Sequence, residues 1–359
     1  MEMHQRTVMV GNVPIGAHAP ISVQSMTNTD TRDVEATVAQ ILRLEQAGCD
    51  IVRSTVPDME SAKAFSKIRS GIHIPLVADI HFDYRLAIAA IENGADKLRF
   101  NPGNIGDASR VRALVSCAKA HHTPIRIGVN AGSLEPDLKR AYAGNTPDAM
   151  VESALKHVRI LEQESFSDIV ISMKASNVSD TVAAYRKIAH MTGYPLHIGV
   201  TETGNVESGV VKSAIGIGAL LLDGIGDTLR VSLSDDPVRE VETGLRILRA
   251  LHLRRDDIEI ISCPTCGRTR VNLMEMIERV QKELPRRQGY LKVAVMGCAV
   301  NGPGEAADAD IGIAFGNGNG ILFQHGEKVY HGKTDDVVAR LIFEATRMLK
   351  AQGEQGKQD

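Results

Sequence analysis

The sequence predicts an α/β protein with two domains, a (β/α)8 TIM barrel over residues 1–253 and a small α+β domain over residues 254–359. Eight short β-rich runs recur between residues 21 and 234, and helix-like stretches separate them. Eight strand–helix units of this size fill the roughly 250 residues of a closed barrel. The repeat stops after Leu253. A doubly wound open sheet is the alternative, and the count of eight favours closure.

The barrel strands are predicted from runs of β-branched and apolar residues. They begin at Ile21, Asp50, Ile74, Lys97, Pro124, Asp168, Pro195 and Asp227. The stretch after the first strand has a helical period and ends at Gly48. Before the first strand, a hairpin is predicted around Gly11-Asn12, where it would close the bottom of the barrel. The longest gap between strands predicts an extended loop over residues 131–147 at the C-terminal face.

The second domain has a different order of predicted elements. They are a strand ending at Cys263, a helix over residues 271–287, a strand ending at Cys298, a Gly/Pro loop over residues 299–306, an antiparallel sheet end over residues 310–332, and a helix from Thr334 to about Lys350. A polar tail follows, and it is expected to fray.

Composition excludes several classes of protein. The 41 Lys+Arg against 44 Asp+Glu exclude a broadly basic nucleic-acid coat, and 4% aromatic residues without Trp leave few stacking platforms. No apolar run is long enough to span a membrane, and the first residues lack the apolar stretch of a signal peptide. Five cysteines are too few and odd in number for a disulfide scaffold. We therefore expect a cytoplasmic protein whose paired cysteines serve metal or redox chemistry.

Long cations interrupt five strands that should be apolar, because parallel barrel strands are buried on both faces. They are Arg53, Arg99, Arg126, Lys174 and Arg230. Each could be a solvated strand end or be paired with a neighbouring Asp. The C-terminal strand ends of a barrel meet at one mouth, where five cations would be costly unless an anion offsets them. Because the guanidinium fork matches phosphate oxygens, the pattern predicts a site for a small dense anion, most simply a diphosphate.

Other polar residues are predicted on the same rim. Asn101 and Asn130 end the fourth and fifth strands, and Ser232 lies in the eighth. Asp79 closes the third strand and is as easily an arginine partner as a functional group. Glu202 ends the seventh strand among these cations, so it is the candidate acid–base.

Three cysteines have the spacing of a metal site. Cys263 and Cys266 form a C-x-x-C pair at a strand end, and Cys298 adds a third sulfur at another. Glu305 is the candidate fourth ligand, and three thiolates with one weaker ligand would leave an iron that substrate can reach. Zinc is the alternative and would need further Cys or His ligands. The remaining two cysteines, Cys49 and Cys117, are expected to be small packing residues.

Two motifs around these cysteines, ISCPTCGR and MGCAVNGPGEA, resemble the cluster motif of the 4-hydroxy-3-methylbut-2-enyl diphosphate synthase family. The resemblance extends over SVQSMTNTDTRD, GCDIVRSTVPD, PLVADIHFDYRLA, RFNPGNIG, PIRIGVNAGSLE, SMKAS, VKSAIGIG and DGIGDTLRVSL. It therefore covers nearly the whole chain and weakens only after about Gly316. It implies a TIM barrel with a C-terminal iron–sulfur domain, in the short bacterial form without an inserted domain.

The resemblance also implies an activity and a set of site residues. The activity is reductive ring opening and dehydroxylation of 2-C-methyl-D-erythritol 2,4-cyclodiphosphate in the non-mevalonate isoprenoid pathway. By motif, Cys263, Cys266, Cys298 and Glu305 would hold a 4Fe-4S cluster, Glu305 would open one iron to substrate, and Glu202 would be the acid–base. Diphosphate contacts would come from Arg53, Arg99, Arg126, Lys174, Arg230 and Ser232, with Asn101 and Asn130 lining the site.

The partners implied are flavodoxin or ferredoxin as electron donor and a second copy of the chain. In the family, the cluster domain of one chain caps the barrel of the other, so a head-to-tail homodimer with a composite active site is expected. Two alternatives stay open. One is a non-redox, phosphate-binding barrel transferase of the pterin type with a structural zinc module, and the other is an iron–sulfur carrier without catalysis. The carrier leaves the five strand cations unexplained.

Overall fold

The computed structural model describes residues 6–104, 107–201, 204–285 and 289–355. It divides into two compact units, Met1–Arg254 and Arg255–Asp359. The first unit opens with an antiparallel hairpin of β1 (Thr7–Val10) and β2 (Val13–Gly16), as predicted. Val10 and Ile15 of this hairpin pack against Ile51 and Val77 of the barrel strands and close its lower end.

Strands and helices alternate through the rest of the first unit. In chain order they are β3 (Ser22–Met26), α1 (Val34–Ala47), β4 (Ile51–Thr55), α2 (Met59–Ser70), β5 (Leu76–Asp79), α3 (Tyr84–Glu92), β6 (Lys97–Arg99), α4 (Ala108–Ala120), β7 (Ile125–Asn130), α5 (Pro136–Ala141), α6 (Thr146–Gln163), β8 (Ile169–Lys174), α7 (Val178–Ala189), β9 (His197–Ile198), α8 (Val206–Leu222), β10 (Thr228–Leu229) and α9 (Pro237–Ala250).

The eight strands β3 to β10 form one parallel barrel, which confirms the predicted fold class. Neighbours from β3 to β8 pair in sequence order, and β10 pairs with both β3 and β9. A single parallel bridge between Ile171 of β8 and Leu196, just before β9, completes the circle. The open, doubly wound sheet is therefore wrong. The barrel is least regular at β9 and β10, which have two residues each.

The two faces of the barrel strands differ in polarity. Outward residues such as Leu98, Ile127 and Leu229 pack in one apolar core with the helices. The alternate residues point into the barrel, and many are polar, including the fully buried Lys97 and His197. TIM barrels are usually filled by branched apolar side chains. This interior therefore departs from that pattern over much of its depth.

The loop after β7 contains more structure than predicted. Residues 131–147 were expected to be extended, but Ala131–Ser133 form a 3-10 turn and α5 follows at once. Pro136 lies in the first turn of α5, where its missing N–H is not needed, and Asp137 suits the positive end of the helix. The prediction of an extended loop is therefore wrong for this segment.

The second unit is a five-stranded mixed sheet with helices. Its elements are β11 (Ile258–Ser262), α10 (Leu273–Glu283), β12 (Leu291–Met296), α11 (Gly302–Ala307), β13 (Ile311–Phe315), β14 (Asn319–Gln324), β15 (Glu327–Lys333) and α12 (Thr334–Gln355). Strands β11, β12 and β13 are parallel, and β13, β14 and β15 are antiparallel. The unit has its own core, which includes Val293, Ile313 and Leu341.

Two predictions for this unit need correction. The segment 299–306, expected as a Gly/Pro loop, includes most of the short helix α11, which has Pro303 in its first turn. The last helix also continues five residues past Lys350, to Gln355, over part of the tail that was expected to fray. Within the described part of the chain, no helix is both long and apolar enough to cross a membrane.

Candidate active site

The C-terminal ends of the barrel strands surround an open cavity of about 530 Å³. Its lining comprises Arg53, Asp79, His81, Arg99, Arg126, Gly128, Asn130, Ser172, Lys174, Thr201, Arg230 and Ser232. The structure thus brings together the five strand cations with Asn130 and Ser232. Asn101 is not in this lining, and Glu202 lies outside the described residues.

Asp79 holds two of the arginines. Its Oδ2 lies 3.6 Å from Nε of Arg53, and its Oδ1 lies 3.4 Å from Nη1 of Arg99. Burial on its own would raise the pKa of Asp79, but Arg53, Arg99 and Arg126 together bring that pKa below its ordinary value. Asp79 is therefore a carboxylate that orients neighbouring arginines, one of the two roles considered for it.

Glu240 of α9 holds a third arginine. Both oxygens of its buried carboxylate lie 3.2 Å from the guanidinium of Arg230, one against Nε and the other against Nη2. The same carboxylate accepts hydrogen bonds from the N–H of Leu233 and the hydroxyl of Ser25. Sequence reasoning missed Glu240. The available signal was a charged residue on the apolar face of the helix, next to Val241.

Arg126 and Lys174 are held differently from these three arginines. Arg126 is 1% exposed, and among the described residues its Nε and Nη2 have no hydrogen-bond partner. Burial, followed by the nearby Arg230 and Arg126, lowers the pKa of Lys174 well below its ordinary value. Five basic side chains thus line the cavity, and only three of them pair with a buried carboxylate, Asp79 or Glu240. Such a surplus of buried positive charge favours an anionic ligand.

Asn101 is engaged with the backbone of β7. Its Nδ2 donates to the carbonyl of Gly128 at 2.9 Å, and its Oδ1 accepts from the N–H of Gly128 at 2.8 Å. The Arg99 guanidinium lies against the same glycine, and a Cβ at Gly128 would stand 2.6 Å from Arg99 Nε. Gly128 was not predicted, although a glycine inside a strand signals close approach by another group.

The three cysteines lie near one end of the sheet in the second unit. Cys263 follows β11, and Cys298 lies two residues beyond β12, its parallel neighbour. The N–H of Gly297 donates to the sulfur of Cys263 at 3.3 Å. Glu305 lies in α11, the next element along the chain. No three His, Cys, Asp or Glu side chains within the described segments gather closely enough for a single metal ion.

The surroundings of two sulfurs favour the thiolate. Hydrogen bonds from the backbone and side chain of Arg268 lower the pKa of Cys266. Backbone N–H groups of Val300, Asn301 and Gly302 lower the pKa of Cys298. By contrast, burial raises the pKa of Cys49 to about 12, so that thiol stays protonated in the core of the barrel.

Known proteins similar to this chain place it in a family. The family model of the GcpE TIM-barrel domain matches residues 5–245, and that of the GcpE protein C-terminal domain matches residues 259–347. The chain belongs to the GcpE family. A relative from Caldanaerobacter subterraneus subsp. tengcongensis, named 4-hydroxy-3-methylbut-2-en-1-yl diphosphate synthase (flavodoxin), is 55% identical over 345 residues, which are 96% of this chain and 97% of the relative. A relative of the same name from Geobacter sulfurreducens is 55% identical over 349 residues, which are 97% and 99% of the two chains.

The family resemblance seen in the motifs is therefore confirmed, and this GcpE family member is an enzyme of the oxidoreductase class. Solved structures add the fold alone. A dihydropteroate synthase from Xanthomonas albilineans has a TM-score of 0.50 and 14% identity, and the match covers 68% of this chain and 97% of that one. The likeness confirms a barrel and gives no support to the pterin-type transferase.

Proposed function

We propose that this GcpE family member converts 2-C-methyl-D-erythritol 2,4-cyclodiphosphate to 4-hydroxy-3-methylbut-2-enyl diphosphate, with two electrons delivered through a 4Fe-4S cluster and water released. The observation that carries the proposal is the cavity at the barrel mouth, where five cations share two carboxylates. A cyclic diphosphate has two negative charges and would offset part of this surplus. The relatives named for the product diphosphate support the same chemistry.

The arginines at the mouth are oriented before substrate binds. Asp79 holds Arg53 and Arg99, and Glu240 holds Arg230. Donors fixed in this way need little rearrangement when charge develops on a reacting oxygen. When the ring C–O bond breaks, the released diphosphate oxygen becomes an anion, and these guanidinium groups would stabilise it. Arg126 and Lys174, which form no ion pair among the described residues, would donate hydrogen bonds to the remaining phosphate oxygens.

Other polar groups of the cavity suit the organic part of the substrate. The amide of Asn130 and the hydroxyl of Ser232 lie in the lining and could orient substrate hydroxyls. We propose Glu202 as the group that gives a proton to the departing hydroxyl, so that it leaves as water. Asn101 would act indirectly, through the backbone position of Gly128.

The second unit has a donor set that fits a 4Fe-4S cluster, which when bound supplies electrons one at a time and a Lewis-acidic iron. Cys263, Cys266 and Cys298 would be the thiolate ligands, and the hydrogen bonds at Cys266 and Cys298 favour the charged form that ligation requires. Glu305 would complete the set. As an oxygen donor it is the weakest of the four, so it would be the one to leave when substrate arrives.

Anaerobic turnover tests the proposal. The purified enzyme, given the cyclic diphosphate and a reduced one-electron donor, should release 4-hydroxy-3-methylbut-2-enyl diphosphate. It should contain about four irons and four sulfides per chain. Cys263→Ser should lose sulfide and turnover together. Bound zinc with no sulfide, or no product from the loaded enzyme, would reject the proposal and favour a non-redox barrel enzyme.

The electron donor and the assembly are part of the proposal. Flavodoxin is the proposed donor because the relatives carry it in their names, with ferredoxin as the alternative. We also propose a homodimer in which the cluster of one chain serves the barrel of the other. Cys263→Ser subunits mixed with Glu202→Gln subunits should regain part of the activity. Mixed dimers that form but stay inactive would contradict the shared site.

A further inference from the structure

Lys97 is buried in the barrel interior beneath the mouth. It precedes Arg99 by two residues on β6, so both side chains project to the same face of the strand. Its register partner on β5 is Val77, which packs with the N-terminal hairpin at the bottom of the barrel. Lys97 thus lies between an apolar floor and the cations of the mouth. It is fully buried, and Nζ has no hydrogen-bond partner among the described residues.

The charged groups that act on Lys97 are cations. Arg126 projects from β7 and Arg53 from β4, and both oppose a positive charge on its amine. His197 on β9 is buried in the same interior. Burial, followed by the charges of Arg126, Lys174 and Lys97, lowers its pKa well below the ordinary value. The buried carboxylates Asp79 and Glu240 pair with the mouth arginines.

An ammonium group in this position would be buried among like charges without an anion. Burial, followed by Arg126 and Arg53, lowers the pKa of Lys97 well below its ordinary value. A dianion bound at the mouth would offset most of the positive potential that acts on Lys97, because it adds two negative charges beside Arg126 and Arg53. The amine would then be stabilised in its charged form.

We propose that Lys97 is uncharged in the free enzyme and takes up one proton from solvent when the cyclic diphosphate binds above it. The inference rests on the proposed function, because it needs that ligand at the mouth. Each phosphoryl group of the ligand is linked to carbon and to the other phosphorus, which leaves one strongly acidic oxygen on each. The ligand therefore keeps its two charges near neutral pH, and any proton taken up goes to the protein.

Calorimetry measures this proton directly. The oxidised enzyme is titrated with the cyclic diphosphate, without electron donor, in buffers of equal pH and different ionisation enthalpy. The slope of binding enthalpy against ionisation enthalpy gives the protons taken up. We expect about one proton at pH 8 for the wild type and an uptake lower by nearly one for Lys97→Met. As the pH rises, the association constant of the wild type should fall by up to about tenfold per pH unit, and that of the variant should fall by less.

Controls separate Lys97 from other groups. Lys67→Met removes an exposed lysine from α2 and should leave the uptake unchanged. Lys97→Gln replaces Lys97→Met should the latter not fold. Unchanged uptake in the Lys97 variant would overturn the inference, because the proton would then go to Lys174 or His197. Tight binding by the wild type without proton uptake would overturn the inference and would leave the proposed function in place. A wild type that does not bind the cyclic diphosphate would overturn the proposed function together with the inference.

Discussion

Arg126 is a buried cation whose position costs the barrel stability. It is 1% exposed and two of its donors have no partner among the described residues, a combination that destabilises a folded protein. We predict that Arg126→Met raises the melting temperature and weakens binding of the cyclic diphosphate by about 10- to 100-fold, the effect of one charge-assisted hydrogen-bonding group. Thermal melts and calorimetry measure both. Arg112→Met, on the exposed side of α4, is the control and should change neither. A lower melting temperature for Arg126→Met would contradict the prediction.

Lys97 predicts a stability that depends on pH. The pKa of an unfolded lysine is about 10.4, and burial holds the pKa of the folded amine well below that value. Between the two pKa values the unfolded chain therefore binds more protons than the folded one. The free energy of unfolding of the wild type therefore rises with pH across that window, by at most about 1.4 kcal/mol per pH unit from this residue. Lys97→Met removes the effect. Urea unfolding at pH 7 to 10 should show the variant more stable than the wild type, with an advantage that shrinks as pH rises. A constant difference would show that Lys97 is charged in the folded enzyme.

The sequence predicts some of these residues better than others. A cation inside a buried strand is anomalous in the local pattern, so Arg126 and Lys174 were found. Glu240 and Gly128 act through partners distant in the chain, Arg230 and Asn101, and no local pattern reports such a pair. Lys97 was overlooked because a lysine at the first position of a strand is usually solvated. In this barrel it is buried because the N-terminal hairpin closes the bottom of the barrel beneath it.

Among the elements, β7 sets the position of a mouth arginine through a glycine. A methyl group at Gly128 would stand 2.6 Å from Nε of Arg99, whose guanidinium would have to move. We predict that Gly128→Ala raises KM about tenfold or more and keeps kcat and the circular dichroism spectrum near those of the wild type. Gly132→Ala is the matched control, because nothing lies within 4 Å of its added methyl group. Equal KM values for the two variants would contradict the account.

The same distinction between local and distant causes applies to whole elements. The hairpin and the eight barrel strands were predicted because apolar, β-branched runs and turn residues act over a few neighbours. The short helices α5 and α11 were missed because the segments that contain them, residues 131–147 and 299–306, have the Gly and Pro content of loops. In both, the proline lies in the first turn, where it favours a helix. The Gly and Pro content of a segment does not distinguish a loop from a short helix, whereas the position of proline within the segment does.

At the scale of the whole molecule, each unit has an apolar core of its own. The separation explains why the sequence could indicate two functions, anion binding and cluster ligation, from unconnected motifs. It also explains what the sequence could not predict. In the proposed homodimer the two sites would meet only through assembly, and residues that meet only in an assembly leave no pattern along one chain. The exposed side of α8 offers a way to test that assembly.

Helix α8 is apolar on its outer side as well as its inner one. Val211, Ile215 and Leu222 are exposed, Leu222 by 76%, while Ile217 and Leu220 face the core. An exposed apolar stripe that continues to the end of the helix, beyond the exposed Glu207 of the first turn, suits contact with a second copy of the chain. We predict that Ile215→Glu combined with Leu222→Glu converts the proposed homodimer to a monomer in sedimentation velocity and abolishes turnover.

The loss of turnover would follow from the shared site and not from unfolding. Because both side chains are exposed, the double variant should keep the wild-type circular dichroism spectrum and should still bind the cyclic diphosphate at the barrel mouth. Met191→Glu is the control, since Met191 is equally exposed, at 58% as for Ile215, and lies outside α8. It should remain dimeric and active. A double variant that sediments as a fully active monomer would show that each chain completes its own site, and the composite active site would be wrong.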